Sequence, residues 1–229
     1  MISVCLACHN GEEFLGAQIV SILAQLDPED ELLVSDDASS DGSRELVRSL
    51  SDPRIRLFEG RFGGPIPNFE FLLNQASGDW IVLSDQDDQW LPGRIAALSE
   101  VPDAAQVVLC DAIVTDRCGR LLASSLLEHR RARQGWLANL YKNHYTGCCL
   151  ALRKGFLPRI LPFPARIGMH DWWIGLVAER LGVAHWIRHP LVRHVRHEHN
   201  ATSGLGRSRL SWSTQIRMRL RLLWLTARI

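Results

Sequence analysis

The stretch Leu83-Ser84-Asp85-Gln86-Asp87-Asp88-Gln89-Trp90 determines how the rest of this chain is interpreted, because three carboxylates follow one another at the end of an apolar run. That run, Trp80-Ile81-Val82-Leu83, predicts a buried strand. Unpaired carboxylates so close together repel one another, and a cation among them would relieve the repulsion. Oxygen ligands without thiolates suit Mg2+ or Mn2+, ions that proteins often share with substrate phosphates. A solvated acidic turn has the same spacing, so both interpretations stay open at this point.

A second acidic turn lies upstream and makes a ligand site the better interpretation. Asp36-Asp37-Ala38-Ser39-Ser40-Asp41 follows another short predicted strand, Glu31–Ser35. Before it, a predicted strand over Ile2–Ala7 leads into a helix over Glu12–Leu26, which completes a strand–helix–strand unit with a right-handed crossover. Two strands that end in acidic turns indicate one crevice at the carboxyl edge of a parallel sheet, where open α/β folds bind ligands.

Composition and charge limit the kinds of partner. The 229 residues, with 46% hydrophobic and 22% charged residues, suit one globular α/β domain and would leave a second domain cramped. The net charge of +1 hides an asymmetry, with 8 basic and 22 acidic residues in 1–128 against 18 basic and 3 acidic in 129–229. The basic half favours an anionic partner, such as a diphosphate, an acidic lipid surface or another chain. No nucleic-acid recognition motif accompanies the charge, so nucleic acid is not expected as a partner.

The six cysteines are expected to be reduced, and most of them lie in apolar runs typical of small core residues. Cys5 and Cys8 share a predicted strand in which their side chains would point to opposite faces, which argues against a zinc or redox pair. The chain begins without the charged and apolar regions of a secretory signal, and no apolar run approaches the ~18 residues that span a bilayer. A cytoplasmic protein is therefore expected.

The two acidic turns, together with the opening Ala7-Cys8-His9-Asn10-Gly11-Glu12, resemble the family 2 glycosyltransferases of the A-type fold, and more narrowly their rhamnosyltransferase-like branch. The resemblance extends to about Gly204. It implies a single Rossmann-like nucleotide-diphospho-sugar transferase domain over residues 1–204, with a mostly parallel central sheet flanked by helices, followed by a basic amphipathic helix over residues 205–229. It also implies an inverting, metal-dependent transfer of a sugar, for which the branch indicates rhamnose, to a glycan or lipid-linked acceptor.

The resemblance assigns residues to a donor that would be dTDP- or UDP-linked. The first turn, including Asn10, would lie along the nucleotide, and Asp37 would accept hydrogen bonds from the nucleobase. Asp36 would assist or only shape its turn, the Asn10 turn also suits a simple helix entry, and Asn68 is also a good helix N-cap. The implied donor-binding residues are Ala7, His9, Asn10, Glu12, Asp36, Asp37, Asn68, Asp85 and Gln86.

The same resemblance implies a divalent ion, Mn2+ or Mg2+, held by Asp87 and His197. His197 begins a His-x-x-Asn element that ends at Asn200 and matches the family's terminal element. Asp85 would help to organise the ribose and diphosphate, and Asp88 is expected to anchor the loop. Within this set the ion offsets charge that develops on the leaving nucleoside diphosphate.

Asp171 is implied as the general base that takes the proton of the acceptor hydroxyl. It opens an apolar helix predicted to run to Leu181, and inversion requires a base on the face opposite the leaving diphosphate. A carboxylate at a helix N-terminus also caps the helix and favours its dipole, so a purely structural role is the alternative.

Four residues are implied for the acceptor and sugar site. Trp172 and Trp173 would divide their roles, one packing in the core and one lining the sugar site with its aromatic face. Gly147 lies in a run of small residues that would permit close approach of the donor sugar. Arg196 could neutralise the leaving phosphate, although Val195 stands where the family has arginine two residues before the histidine.

Two further segments carry predictions. Residues 124–134 are polar and basic and are interpreted as a mobile flap or acceptor-side excursion, with an inter-domain linker as the weaker alternative. The tail from Arg207 to Ile229 has six arginines and no acidic residue. It is interpreted either as an interfacial helix in peripheral contact with the inner face of the cell membrane or as a helix packed on its own domain or on a second subunit.

Two other functions were weighed. A sugar-phosphate nucleotidyltransferase would need basic residues in a glycine-rich loop after the first strand, and residues 8–15 contain no arginine or lysine. A non-catalytic nucleotide-sugar-binding or scaffold subunit would keep the fold without turnover. Asp85, Asp87 and Asp171 are all present, which favours the enzyme.

Overall fold

The computed structural model describes residues 1–197 and 212–229, and the strands of this part of the chain form one mixed sheet. The strands are β1 Ile2–Cys8, β2 Glu31–Asp37, β3 Ile55–Gly60, β4 Trp80–Asp85, β5 Asp88–Trp90, β6 Val107–Asp116, β7 Leu121–Ala123, β8 Leu150–Arg153 and β9 Ala184–Arg196. Their order in the sheet is β3-β2-β1-β4-β8-β6-β9-β5, with β7 paired to β6.

Helices connect and cover these strands. They are α1 Glu12–Leu23, α2 Ser43–Ser49, α3 Pro65–Gln75, α4 Leu126–His129, α5 Trp136–Tyr141, α6 Leu157–Ile160, α7 His170–Leu181 and α8 Trp212–Thr226. Between β5 and β6 the chain forms a turn followed by a 3-10 helix, Ala96–Glu100. Gly93 has a φ of +88°, which is incompatible with a right-handed helix.

The first half of the sheet is parallel and brings the acidic turns together. β1 pairs in parallel with β2 and with β4, and β2 pairs in parallel with β3. The register sets Ala7 opposite Asp85 and Cys8 opposite Asp36, so these strands end at the same edge. The predicted α/β class, with a crevice at the carboxyl edge of parallel strands, is confirmed.

Beyond β4 the sheet becomes mixed, which returns the C-terminal strand to the acidic loop. β8 runs antiparallel to β4 and β6, whereas β9 pairs in parallel with β6 and antiparallel with β5. The β5–β9 register sets Asp88 opposite His194. Residues more than a hundred positions apart in the chain therefore meet beside the acidic loop.

Two apolar cores cover the two faces of the sheet. In one of them Phe69, Leu72 and Leu73 of α3 are fully buried, and burial of each such side chain contributes roughly 1.5–3 kcal/mol. Gly175 lets α7 approach the loop before β8, because a Cβ at this position would lie 2.3 Å from the Tyr145 ring. These contacts fix the first turn of α7 at the carboxyl edge of the sheet.

The predicted flap over residues 124–134 begins with the short helix α4. Leu126 and Leu127 are buried, and Asp111 accepts hydrogen bonds from the Leu127 N–H, at 3.0 Å, and from the Ser125 hydroxyl. This part of the segment is packed on the domain because its two leucines belong to the core, so the inter-domain linker alternative is wrong.

Helix α8 packs against α5 and α7. The Trp136 Nε1–H donates to Thr226 Oγ1 at 3.2 Å, and Leu222 is buried. Asn200, Gly204 and the start of the predicted basic tail at Arg207 lie outside the described residues, so the domain boundary at 204/205 stays a prediction. Across residues 1–197 and 212–229, the helices lack the combination of length and apolar composition needed to cross a bilayer.

Candidate active site

A cavity of about 510 Å3 lies at the carboxyl edge of β1, β2 and β4. The acidic turns, the start of α3, the loop before β8 and the start of α7 form its walls. Its predicted lining residues are Ala7, His9, Asp37, Asn68, Asp85, Gln86, Asp87, Gly147 and Asp171. The structure therefore brings nine predicted residues to one cavity.

The carboxylates of the acidic loop are buried and crowded. Burial raises the pKa of Asp85 well above its usual range, and the charges of Asp88 and Asp87 raise it further. Burial and the Asp88 charge likewise raise the pKa of Asp87, although His197 opposes them. A divalent cation would stabilise both carboxylates in their charged form, so this oxygen-rich group fits Mg2+ or Mn2+.

Two histidines from the end of β9 hold this loop. His197 Nε2 lies 2.8 Å from Asp87 Oδ2, and its ring stacks on Phe14 with centroids 4.6 Å apart. His194 Nδ1 lies 2.8 Å from Asp88 Oδ1, which also accepts a hydrogen bond from the Val195 N–H at 3.3 Å. Asp88 thus anchors the loop, and the predicted pair Asp87 and His197 lies within contact distance.

His194 carries a positive charge beside these carboxylates. Burial opposes its protonation, but the nearby carboxylates, Asp88 foremost, raise the pKa of His194 to about 9. His194 also lines the cavity. Part of the negative charge of the loop is therefore already balanced at neutral pH, which allows Asp88 to remain buried.

Asp171 lies in the first turn of α7 and lines the same cavity as the acidic loop. Its Oδ1 accepts hydrogen bonds from the Trp172 N–H at 2.6 Å and from Asn143 Nδ2 at 3.1 Å. Burial raises the pKa of Asp171 to about 6, although the Arg130 charge and these hydrogen bonds lower it. The N-cap position is occupied by Met169, so Asp171 does not itself cap the helix.

Gly147 separates the two carboxylate groups. Its N–H donates to Asp171, and a Cβ placed on it would lie 4.0 Å from Asp85 Oδ2. The same Cβ would lie 3.0 Å from His170 Nε2. Glycine avoids a tight contact with His170 here, at a point of the cavity wall close to Asp85.

His170 is a cavity residue that the sequence interpretation missed. It is buried against Phe69, with ring centroids 4.3 Å apart, and burial lowers its pKa to about 3, so it is neutral at physiological pH. Within the described part of the chain, neither ring nitrogen has a hydrogen-bond partner. Its position immediately before Asp171 is the signal that could have identified it.

Asp37 shapes the loop that closes one side of the cavity. Its carboxylate accepts hydrogen bonds from the N–H groups of Phe62, Gly63 and Gly64 at 2.6, 3.1 and 2.8 Å. Burial opposes the effect of these donors, which nevertheless hold the pKa of Asp37 below its usual value. The predicted contact with a nucleobase would share this carboxylate with the loop.

Three predicted donor residues lie off the cavity wall and stabilise the neighbouring turns. Asn10 Oδ1 accepts from the Ser40 N–H at 2.8 Å, and Glu12 Oε2 accepts from the Gly42 N–H at 2.9 Å. Asp36 is buried and accepts from the Ser39 N–H at 2.9 Å. Asn10 and Glu12 join the first turn to the second, Asp36 shapes its own turn, and the assignment of these three residues to the donor stays a prediction.

The expectation for the two tryptophans also needs correction. The indole N–H groups of Trp172 and Trp173 donate to the carbonyls of Asn139 and Ile160 at 2.7 and 3.0 Å. Both indoles are buried in the core, and neither lines the cavity. Buried indoles need a partner for their N–H, and backbone carbonyls of α5 and α6 supply it.

Arg196, the last residue of β9, and His197, which follows it, do not line the cavity. Arg196 lies opposite Asp116 in the pairing with β6, and His197 contacts Asp87, which lines the cavity. The sequence interpretation instead missed His194, which belongs to the same strand. It also missed apolar and backbone elements of the wall: Cys8, Gly63, Gly64, Pro65, Phe69, Thr146 and Met169.

The chain is similar to known proteins in sequence and in fold. Residues 3–161 match the family model described as Glycosyl transferase family 2. The UDP-Glc:alpha-D-GlcNAc-diphosphoundecaprenol beta-1,3-glucosyltransferase WfgD of Escherichia coli is 35% identical over 96 residues, 42% of this chain and 38% of that protein. The dTDP-rhamnosyl transferase RfbG of Shigella flexneri is 26% identical over 213 residues, 85% of this chain and 72% of that protein.

A solved structure shares the fold. The glucosyl-3-phosphoglycerate synthase of Mycobacterium tuberculosis, determined with Mn2+, UDP and glucosyl-3-phosphoglycerate, has a TM-score of 0.63 at 21% identity. The match covers 100% of this chain and 80% of that one. The chain spans less than two fifths of the length of several of the curated relatives that it matches.

Proposed function

The chain belongs to glycosyl transferase family 2, and from that premise we propose that it is an inverting glycosyltransferase. It moves a sugar from a nucleoside-diphosphate donor to a hydroxyl group of a glycan or lipid-linked acceptor. The observation that carries this proposal is the cavity that Asp85 and Asp171 both line, with Gly147 in its wall next to Asp85. One side of this volume suits a diphosphate with its cation, and the other provides a base.

Asp171 is the proposed general base. Its pKa of about 6 leaves most of the carboxylate charged at neutral pH, and the N–H donors of Trp172 and Asn143 fix its orientation. It accepts the proton of the acceptor hydroxyl as the hydroxyl oxygen bonds to the anomeric carbon. The bond from that carbon to the diphosphate breaks on the opposite face, which inverts the configuration.

Asp87 and His197 are the proposed ligands of Mn2+ or Mg2+, with Asp85 beside them. When bound, the ion supplies positive charge that stabilises the leaving diphosphate. The crowding that raises the pKa of Asp85 and Asp87 supports this assignment, and the mycobacterial structure with the same fold holds Mn2+ and UDP. The contact between His194 and Asp88 holds the acidic loop in position.

The donor is proposed to be UDP- or dTDP-linked. Ala7, His9, Asp37, Asn68 and Gln86 line the part of the cavity on the β1–β2 side and would contact the nucleotide. WfgD is named for a UDP-linked donor and RfbG for dTDP-rhamnosyl transfer, and the second match covers more of this chain. Rhamnose is accordingly the proposed sugar.

The acceptor is proposed to be carried by a lipid at the cytoplasmic face of the cell membrane. WfgD is named for an acceptor on diphosphoundecaprenol. Helix α8 exposes Trp212, Leu220 and Trp224 beside its arginines, as a helix at an anionic membrane surface does. Residues 1–204 would form the transferase domain, and residues 205–229 its basic helix.

The first experiment measures nucleotide binding by calorimetry, using UDP, dTDP, GDP and ADP with and without Mn2+. We expect one pyrimidine diphosphate to bind the native chain in a metal-dependent manner, and Asp87→Asn to weaken this binding at least tenfold, because one charged ligand is lost. Asp103→Asn, at an exposed site, is the matched control. Metal-independent binding, or equal binding by Asp87→Asn, would contradict the assignment.

Turnover distinguishes an enzyme from a non-catalytic subunit. Donor consumption is then measured with membrane extracts as the source of acceptor, for the native chain and for Asp171→Asn. Binding without any Asp171-dependent release of nucleoside diphosphate would favour the non-catalytic nucleotide-sugar-binding subunit.

A further inference from the structure

A group of cations lies beside Asp171 and takes no part in the donor site described above. The Arg130 guanidinium donates to Thr146 Oγ1 at 2.7 Å and to the Asn143 carbonyl at 3.0 Å. Lys142 Nζ donates to the Arg130 carbonyl at 3.1 Å. Thr146 lines the cavity, so this group reaches the wall next to Gly147.

The cations of this group repel one another, and the carboxylate that feels the Arg130 charge is that of Asp171. In the described part of the chain, neither Arg130 nor Lys142 forms an ion pair with a carboxylate. Burial and the Arg130 charge lower the pKa of Lys142. Burial, followed by the charges of Lys142, Arg130 and Arg133, lowers the pKa of His144 to about 4. One nearby carboxylate, Asp171, does not balance the charges of Arg130, Lys142 and Arg133, and a bound anion would relieve the remaining repulsion.

Hydrogen bonds through Asn143 connect Arg130 to Asp171, the proposed base. Asn143, whose carbonyl accepts from Arg130, donates through Nδ2 to Asp171 Oδ1, and the Arg130 charge acts on the pKa of Asp171. The acceptor hydroxyl must lie next to the base that takes its proton. An anion held by Arg130 and Lys142 would therefore belong to the acceptor molecule.

An exposed apolar surface continues from this group. Lys142 follows α5, on which Leu137 and Tyr141 are 71% and 74% exposed. The Arg219 Nε–H donates to the Tyr141 carbonyl at 2.7 Å, which places α8 alongside. The cations and the exposed apolar side chains are thus adjacent. This arrangement suits a ligand that carries a phosphate on a lipid chain.

We propose that Arg130 and Lys142, supported by Arg133, form a second anion site that binds a phosphate or diphosphate group of the acceptor. The inference rests on the proposed function, because it takes Asp171 as the base. Arginine binds phosphate oxygens through two parallel N–H groups, and lysine adds a point charge. The site would hold the acceptor in line with the base while the donor diphosphate stays with Asp85 and Asp87.

The test uses the full chain with its donor site saturated by UDP and Mg2+, and calorimetry with decyl phosphate, decanol and inorganic phosphate as probes. Decyl phosphate is expected to bind, and Arg130→Gln and Lys142→Gln are each expected to weaken it about tenfold, the effect of one charge-assisted contact. Arg188→Gln, at an exposed position on β9, is expected to change binding less than twofold. Decanol is expected not to bind.

The outcomes separate this inference from the proposed function. Unchanged affinity for decyl phosphate in both variants would overturn the inference, as would loss of UDP binding in both, since the cations would then serve the donor. The native chain could fail to bind UDP and metal and still bind decyl phosphate, with Lys142→Gln weakening that binding. The anion site would then stand, and the proposed donor site would fail. If decyl phosphate binds more tightly than inorganic phosphate, the acceptor phosphate is carried by a lipid. If the two bind equally, it is carried by a glycan. Either outcome supports the anion site.

Discussion

The environment of Asp171 combines burial with donors that favour its charged form. Burial raises the pKa of Asp171, and the Arg130 charge, with the N–H groups of Trp172, Asn143 and Gly147, holds it at about 6. A base whose pKa lies just below the working pH is both charged and still basic enough to accept a proton. Asn143 and Arg130 are therefore positioning residues for Asp171.

The pH dependence of transfer tests this assignment. Because only the deprotonated form of Asp171 accepts a proton, kcat is expected to rise about tenfold per pH unit below pH 6 and to level off above pH 7. Asp171→Asn should lower kcat by about 10^2–10^4 and remove this rise, whereas nucleotide affinity stays within about twofold. The measurement is release of nucleoside diphosphate between pH 5 and pH 8. A variant with normal turnover, or one that keeps the rise, would remove Asp171 from the role of base.

The carboxylates could be identified from the sequence because their chemistry is local, whereas the histidines around them could not. Asp85 and Asp87 directly follow an apolar strand, and that pattern is visible in a short window. His194 meets Asp88 only because β9 returns beside β5, a pairing between residues 106 positions apart. Trp172 was noticed in the sequence but could not be placed. An aromatic residue beside a predicted base can pack in the core or line a sugar site, and the rotation of α7 decides which.

At the scale of the elements, α7 is the helix whose position decides the site, because its first turn carries both His170 and Asp171. Its inner side approaches the loop before β8 at Gly175, where a Cβ would lie 2.3 Å from the Tyr145 ring. Tyr145 is itself fixed by a hydrogen bond of 2.9 Å from its hydroxyl to Glu179 Oε1 on the same helix. Helix and loop therefore lock each other in place.

Paired glycine substitutions test that contact. Gly175→Ala should lower the free energy of unfolding by about 1–3 kcal/mol, since the added methyl group overlaps the Tyr145 ring although alanine favours the helix. Gly16→Ala in α1 is the matched control, because its Cβ would meet Leu46 at an ordinary 3.6 Å. It should raise stability by about 0.5–1 kcal/mol. Urea unfolding of both variants measures the difference, and equal stabilisation by the two would show that α7 is not held at Gly175.

The elements themselves show which parts of the fold a sequence reveals. The strands of the parallel half, with their apolar runs and following turns, were predicted close to their observed bounds, and the βαβ unit fixed their order. The mixed half depends on how β8 and β9 enter the sheet, and no short pattern specifies antiparallel entry. The role of the Gly63 and Gly64 loop as a cavity wall follows from the Asp37 hydrogen bonds, which no short stretch of sequence specifies.

At the scale of the whole molecule, the charge asymmetry of the sequence becomes a division of surfaces. The acidic first half builds the edge of the sheet on which a cation would be held, and the basic second half supplies α5, α8 and the cations beside Asp171. A reaction that joins a charged donor to an acceptor at an anionic surface needs an acidic site for the cation and a basic surface for the acceptor. The donor side should respond mainly to metal, and the acceptor side mainly to salt and lipid.

Membrane association is the property that this division predicts for the intact chain. The native protein should float with vesicles containing anionic lipid in 0.1 M salt and less with neutral vesicles, because each basic residue near such a surface contributes about 1 kcal/mol. Changing Arg217 and Arg221, both exposed on α8, to glutamine should lower the partition coefficient roughly thirtyfold. The matched double variant at Arg61 and Arg120, exposed in the acidic half, should leave it within about threefold. Equal flotation of the two double variants would mean that α8 serves the domain or a second subunit instead, and the lipid-linked acceptor would then have to reach Asp171 from another side.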